Sequence, residues 1–143
     1  MEQLSAIYSE LIMEHNQSGH NKRKIHHADC SERGHNPSCG DDIILSLKFN
    51  GEMIEDAAFQ GSGCAISQAS TSMMIDLIKG KSKEEALKLV DIFIGMIKKE
   101  ITDEADLEKL EDAVILKNIS TMPARVKCAV LAWHTLKAAV NTK

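Results

Sequence analysis

Apolar positions recur with several different spacings along this chain, and each spacing predicts a different element. Leu4, Ile7, Tyr8, Leu11 and Ile12 follow a helical period, so residues 3–15 are expected to form an amphipathic helix that ends before Gly19. Residues 16–38, "NQSGHNKRKIHHADCSERGHNPS", are polar and rich in turn formers. They read as a loop with one weak edge strand near 28–34. "DIILSLKF" then reads as a strand, "NGE" at 50–52 as a hairpin turn and "MIEDAAFQ" as the returning strand. An Asn-Gly between two such runs is among the strongest short hairpin signals.

After "GSG" at 61–63 the period changes. Ile66, Ala69, Met73, Leu77 and Ile78 form an apolar helical stripe that stops at Gly80. Ser82 and Glu85 have the spacing of a capping box, predicting a second helix that runs to about Lys99. The acidic stretch "ITDEADLEKLEDAVIL" is expected to be a solvated turn followed by a short helix. A last helix starts near Pro123, a residue suited to a first turn, with Val126, Val130, Trp133, Leu136 and Val140 as its core face. Strands precede helices, so the fold class is α+β rather than alternating α/β. No internal repeat, low-complexity tract or linker interrupts residues 1–143, which fit one domain.

Composition narrows the functional classes. Hydrophobic residues make up 43% and charged residues 27%, as in ordinary soluble domains, while aromatics at 3% leave the core to Leu, Ile, Val, Ala and Met. A formal charge of -4 argues against a duplex nucleic-acid binder, and "KRK" at 22–24 reads as a solvated loop. No apolar run approaches the roughly 18 residues a membrane span requires. The start "MEQLSAIYSELIMEH" is acidic and amphipathic, unlike a signal peptide, so a cytoplasmic location without a membrane partner is expected. Thiols stay reduced there, and four cysteines then point to metal binding or thiol chemistry more than to disulfides.

Three of those cysteines fall at the ends of elements. Cys39 and Asp41 lie in the turn entering the first strong strand, Cys64 opens a helix after Gly61 and Gly63, and Cys128 lies in the first turns of the last helix. Loops gather at one edge of a domain, so these groups are candidates for one site. A helix N-terminus favours the thiolate, the form that binds metals and attacks electrophiles, and Lys127 is placed to add positive charge. Three sulfurs and one oxygen suit tetrahedral zinc or an asymmetric iron–sulfur cradle. On spacing alone Cys64 and Cys128 also fit small core residues. For Cys39 that alternative is weaker, because "SCGDD" is polar.

"NPSCGDDI", "GSGCAISQASTSMM" and "MPARVKCAVLAWHTLKAAV" together resemble the U-type iron–sulfur cluster assembly proteins, the NifU N-terminal, IscU and SufU group. The resemblance spans nearly the whole chain and keeps all three cysteine motifs in order. It implies a small antiparallel sheet of about three strands with helices packed on one face. It also implies a single NifU N-terminal-like domain over 1–143, with Cys39, Asp41, Cys64 and Cys128 as the metal or cluster ligands. Lys127 stands where the IscU branch has histidine, the Leu-Pro-Pro-Val-Lys docking motif is absent, and the stretch 82–120 is longer, as in the SufU branch. That branch implies a zinc-bearing sulfur acceptor, with Cys39 as acceptor, working with a pyridoxal-phosphate cysteine desulfurase of the SufS type. A scaffold role implies instead bound iron or a transient iron–sulfur cluster, delivered to apo iron–sulfur proteins or further assembly factors.

Other constellations are expected to be secondary. His20, His26, His27, Cys30 and His35 invite a second metal site, but their spacing matches no zinc pattern. His35 is close enough in sequence to Cys39 to tune the site or serve as a spare ligand, Cys30 reads as a bystander on the edge strand, and His134 as a helix-surface or core-margin residue. Met73 and Met74 read as core packing. Two rival functions stand beside the assembly reading. One is a stand-alone thiol enzyme using Cys39, assisted by His35 or Asp41. The other is a structural zinc module that docks partners.

Overall fold

The computed structural model describes residues 2–38 and 40–141, and side chains from residue 10 onward. Cys39 therefore lies outside the described residues, as do the side chains of Leu4, Ile7 and Tyr8. Helix α1 spans Glu2–Ser18 and is followed by strands β1 (Cys30–Asn36), β2 (Asp41–Asn50) and β3 (Met53–Ser62). Helices α2 (Ala65–Ile78), α3 (Lys83–Ile97) and α4 (Glu104–Glu108), a 3₁₀ segment (Glu111–Thr121) and helix α5 (Pro123–Asn141) complete the order. The three strands form one antiparallel sheet in the order β1-β2-β3. The expected α+β class, hairpin and edge strand are all present, the edge strand displaced two residues toward the C-terminus.

Strand β2 shows why one face of the sheet carries the helices. Asp41, Ile43, Leu45 and Leu47 are buried, while Asp42, Ile44, Ser46 and Lys48 are half-buried or exposed. This is the period-2 alternation of a sheet packed on one side only. Helices α2 and α5 cover the buried face, joining the strands in a core that includes Met74, Ile78, Phe93 and Trp133. Ser82 caps α3 by accepting the Glu85 N–H at 3.0 Å, and its hydroxyl bonds the Glu85 carboxylate at 3.2 Å, so the capping-box reading holds. The outer edge of β3 is partly closed by the polar segment after α1, where the Phe59 N–H donates to the Asn21 carbonyl at 3.0 Å. Arg23 pairs with Asp56 on the same strand.

Three expectations need correction. The first concerns α2, which is not striped. Every residue from Ser67 to Ile75 is buried, because α1, α5, β3 and the 3₁₀ segment surround the helix. Its hydroxyls are accommodated by local bonds: Thr71 donates to the Ser67 carbonyl at 2.7 Å, and Ser70 to the Ala129 carbonyl at 2.6 Å. The second concerns α5, whose buried face is rotated from the expected one. Val126 and Val130 are only half-buried, and Cys128, Ala129, Ala132 and Ala139 line the interior beside Trp133 and Leu136. Small alanines let this helix lie close to its neighbours, which residue-by-residue hydrophobicity undervalues. The third is the acidic stretch, which makes one turn of α4 and then an 11-residue 3₁₀ segment. Leu107, Leu110, Ala113, Leu116 and Ile119 are buried at intervals of three, the period of a 3₁₀ helix rather than an α-helix.

Candidate metal centre

Strand β2, the start of α2 and the second turn of α5 converge at one end of the sheet. One ligand atom each from Asp41, Cys64 and Cys128 lies within 4.8 Å of the other two. Asp41 is the first residue of β2 and points to the covered side of the sheet, fully buried. Its Oδ1 accepts the Cys64 N–H at 2.8 Å, while its Oδ2 is buried with no hydrogen-bond partner among the described residues. Cys64 is the N-cap of α2, with the Ser67 N–H directed at its sulfur at 3.4 Å. The Cys128 sulfur is buried and lies 3.9 Å from the Ala124 carbonyl one turn earlier.

The glycines ahead of Cys64 make this approach sterically feasible. Gly61 has a φ of 120°, and a Cβ there would collide with the Asp42 carbonyl. A Cβ on Gly63 would sit 2.5 Å from Asp41 Oδ1, so a side chain would displace the carboxylate. The "GSG" run is thus the shape that lets Asp41 reach the N-terminus of α2.

Burial leaves an ionised carboxylate costly unless hydrogen bonds or a cation offset it. Here one oxygen is bonded to the Cys64 N–H, the other has no partner among the described residues, and the carboxylate lies beside two sulfurs. A tetrahedral zinc with bonds of 2.0–2.3 Å places its donors about 3.3–3.8 Å apart, so small side-chain movements would complete the set. Two thiols and a carboxylate suit zinc, and equally suit iron.

Other expected contributors fall elsewhere. His35 pairs in register with Asp42 and is exposed, on the opposite face from Asp41, where Arg33 also bonds Asp42 at 2.7 Å and holds its carboxyl below the usual range. Adjacent positions on a strand point to opposite faces, so closeness in sequence misleads here. Lys127 is exposed, and Cys128 lies beyond the first turn of α5, away from the helix N-terminus. Cys30 packs at the core margin with its sulfur 3.5 Å from the Ala139 carbonyl. His134 is exposed on α5, and partial burial with Lys98 and Lys137 nearby lowers its pKa. His26 and His27 are exposed and join no cluster among the described residues.

Sequence reading missed a second cluster. His15, His20 and Asp76 also place one ligand atom each within 4.8 Å of the others. The available signal was Asp76 itself, the one charged residue in "AISQASTSMMIDLI".

The NifU-like N terminal domain family matches residues 7–142. The chain belongs to that family. It is 42% identical to the zinc-dependent sulfurtransferase SufU of Bacillus subtilis (strain 168), over 96% of this chain and 91% of that one. It is 39% identical to the iron-sulfur cluster assembly scaffold protein IscU of Streptococcus pyogenes serotype M1, over 99% of this chain and 87% of the relative. The crystal structure of FiSufU, a SUF-system protein from Fervidobacterium islandicum AW-1, superposes with a TM-score of 0.85 at 40% identity, covering 94% of this chain and 97% of that one. NifU-like relatives thus carry both names at similar identity, and the fold expected from the resemblance is the fold observed. Among the described residues, no helix is long and apolar enough to cross a membrane.

Proposed function

We propose that this chain, as one NifU-like domain, serves iron–sulfur cluster assembly in the cytoplasm by accepting sulfur from a pyridoxal-phosphate cysteine desulfurase of the SufS type. Cys39 is the acceptor, and Asp41, Cys64 and Cys128 hold a zinc ion with it. The observation that supports this reading is a fully buried Asp41 carboxylate beside two thiols, with its Oδ2 left without a hydrogen-bond partner among the described residues. Cys39 stands two residues before Asp41 in the chain. Bound zinc would keep the sulfur ligands deprotonated and shielded from oxidants.

The chain's own part is a thiol exchange. The Cys39 thiolate attacks the outer sulfur of the desulfurase persulfide, the S–S bond of the donor breaks, and a new S–S bond forms on Cys39. The desulfurase cysteine leaves as a thiolate, so no external oxidant or reductant is consumed. The sulfur then passes to apo iron–sulfur proteins or other assembly factors. In the scaffold reading, which the IscU name of relatives favours, the same residues hold iron and sulfide as cargo.

Mass spectrometry after incubation with desulfurase and cysteine tests the acceptor. The wild-type chain should gain one sulfur atom at Cys39, and folded Cys39→Ser should gain none. Sulfur uptake by Cys39→Ser at the wild-type rate would overturn the assignment. Metal and acid-labile sulfide analysis of anaerobically purified protein separates the two roles, with zinc and no sulfide expected of the acceptor and matched iron and sulfide of the scaffold.

A further inference from the structure

We propose that His15, His20 and Asp76 form a second metal site, for a divalent first-row transition ion of the zinc type, independent of the cysteine centre and of the function proposed for it. The three residues come from separate elements: the last turn of α1, the turn after it, and the last turn of α2. One imidazole nitrogen of each histidine and one carboxylate oxygen lie mutually within 4.8 Å. Two imidazoles and a carboxylate match the preferences of borderline divalent cations, and three protein ligands leave a position open for exchange.

Hydrogen bonds fix the rings of both histidines, as is usual for metal ligands. The His15 Nδ1 lies 2.8 Å from the Ser72 hydroxyl, and the His20 Nδ1 lies 2.6 Å from the Ser18 hydroxyl. That leaves the His20 Nε2 directed at the Asp76 carboxylate, 3.0 Å away. The carboxylate also accepts the Asn21 amide at 2.9 Å. A cavity of about 200 Å³ reaches the cluster at His15 and is lined also by Asn21 and Ser72. The Asn21 Oδ1, an acceptor, is buried with no hydrogen-bond partner among the described residues, and Asn21 is only 1% exposed. Buried polar atoms of that kind call for a ligand or ordered water. The His20 and Asp76 side chains are each 45% exposed, so an ion can reach the site from solvent.

The test uses cadmium-113 NMR on the full chain, because a sulfur-rich centre and a nitrogen–oxygen centre resonate in well-separated ranges. Two resonances are expected at saturating cadmium. The nitrogen–oxygen signal should vanish in His20→Gln and in Asp76→Asn, while the sulfur-range signal stays. The proposal is overturned if only the sulfur-range signal is seen, or if the second signal survives both variants. Should either variant misfold, nitrogen-15 spectra of the wild-type imidazoles decide. On cadmium addition the ring nitrogens of His15 and His20 should move, and those of His26, His27, His35 and His134 should not. Equal movement of all six, or none at His15 and His20, would overturn it.

Discussion

The two ends of helix α2 present ligand atoms under opposite conditions. At its N-terminus, Cys64 meets a fully buried carboxylate and a buried thiol, on a strand and a helix fixed by the core. Toward its C-terminus, about 18 Å further along by helical rise, Asp76 meets two histidines on elements that pack at the surface. Burial would tie the first set closely to any bound cation, because an ionised carboxylate removed from water needs an opposite charge. Exposure makes the second set tolerant of an empty state, since solvent can reach it and His20 and Asn21 already bond the Asp76 carboxylate. One helix thus connects a buried set of ligand atoms with a solvent-accessible one.

The largest expected effect breaks the buried end. Gly63→Val drives a side chain into Asp41, and zinc affinity at the cysteines should fall by about 10–100-fold or more, by competition with a chromophoric chelator. The same substitution should leave cadmium binding at His20 and Asp76 in place. Next in size, Ser70→Ala removes the acceptor of the Trp133 indole N–H and the donor to the Ala129 carbonyl. Urea denaturation should show a loss of about 1–3 kcal/mol, because a buried donor is left unpaired.

The smallest effect concerns the surface end. Arg23→Ala removes one of the contacts that tie the segment carrying His20 to β3, and should cost less than about 1 kcal/mol at neutral pH, since the pair is partly solvated. The hydrogen bond from Arg23 holds the Asp56 carboxyl below its ordinary range, against partial burial. A depressed native pKa gives stability that is complete above the unfolded value of about 3.9 and is lost as pH falls through the native one. The gap between wild type and Arg23→Ala, followed by urea denaturation, should therefore be constant from pH 7 to 5 and close in more acidic solution. A gap that widens on acidification would mean that another group governs this contact.

What was legible in the sequence follows the same contrast. The sheet, the hairpin and the capped α3 were readable because each rests on local periodicity or a local side-chain bond, and resemblance marked Asp41, Cys64 and Cys128. The burial of α2 was not readable, since it depends on four surrounding elements rather than on its own stripe. The 3₁₀ segment was hidden because an interval of three is easily taken for an irregular helical one. His35, near Cys39 in sequence, lies exposed on the face opposite Asp41. The histidine cluster escaped because its members, at 15, 20 and 76, become neighbours only once α1 lies against α2.

Trp133 carries a practical consequence. It is the chain's one tryptophan, stacked on Phe93 with ring centroids 4.0 Å apart. Its indole N–H reaches Ser70 on the helix that begins at Cys64, and Ser70 in turn bonds Ala129, the neighbour of Cys128. A single intrinsic fluorophore is therefore wired to both cysteine-bearing helices. Its emission can track, without any attached label and in real time, whether those helices shift as ligands are exchanged between them.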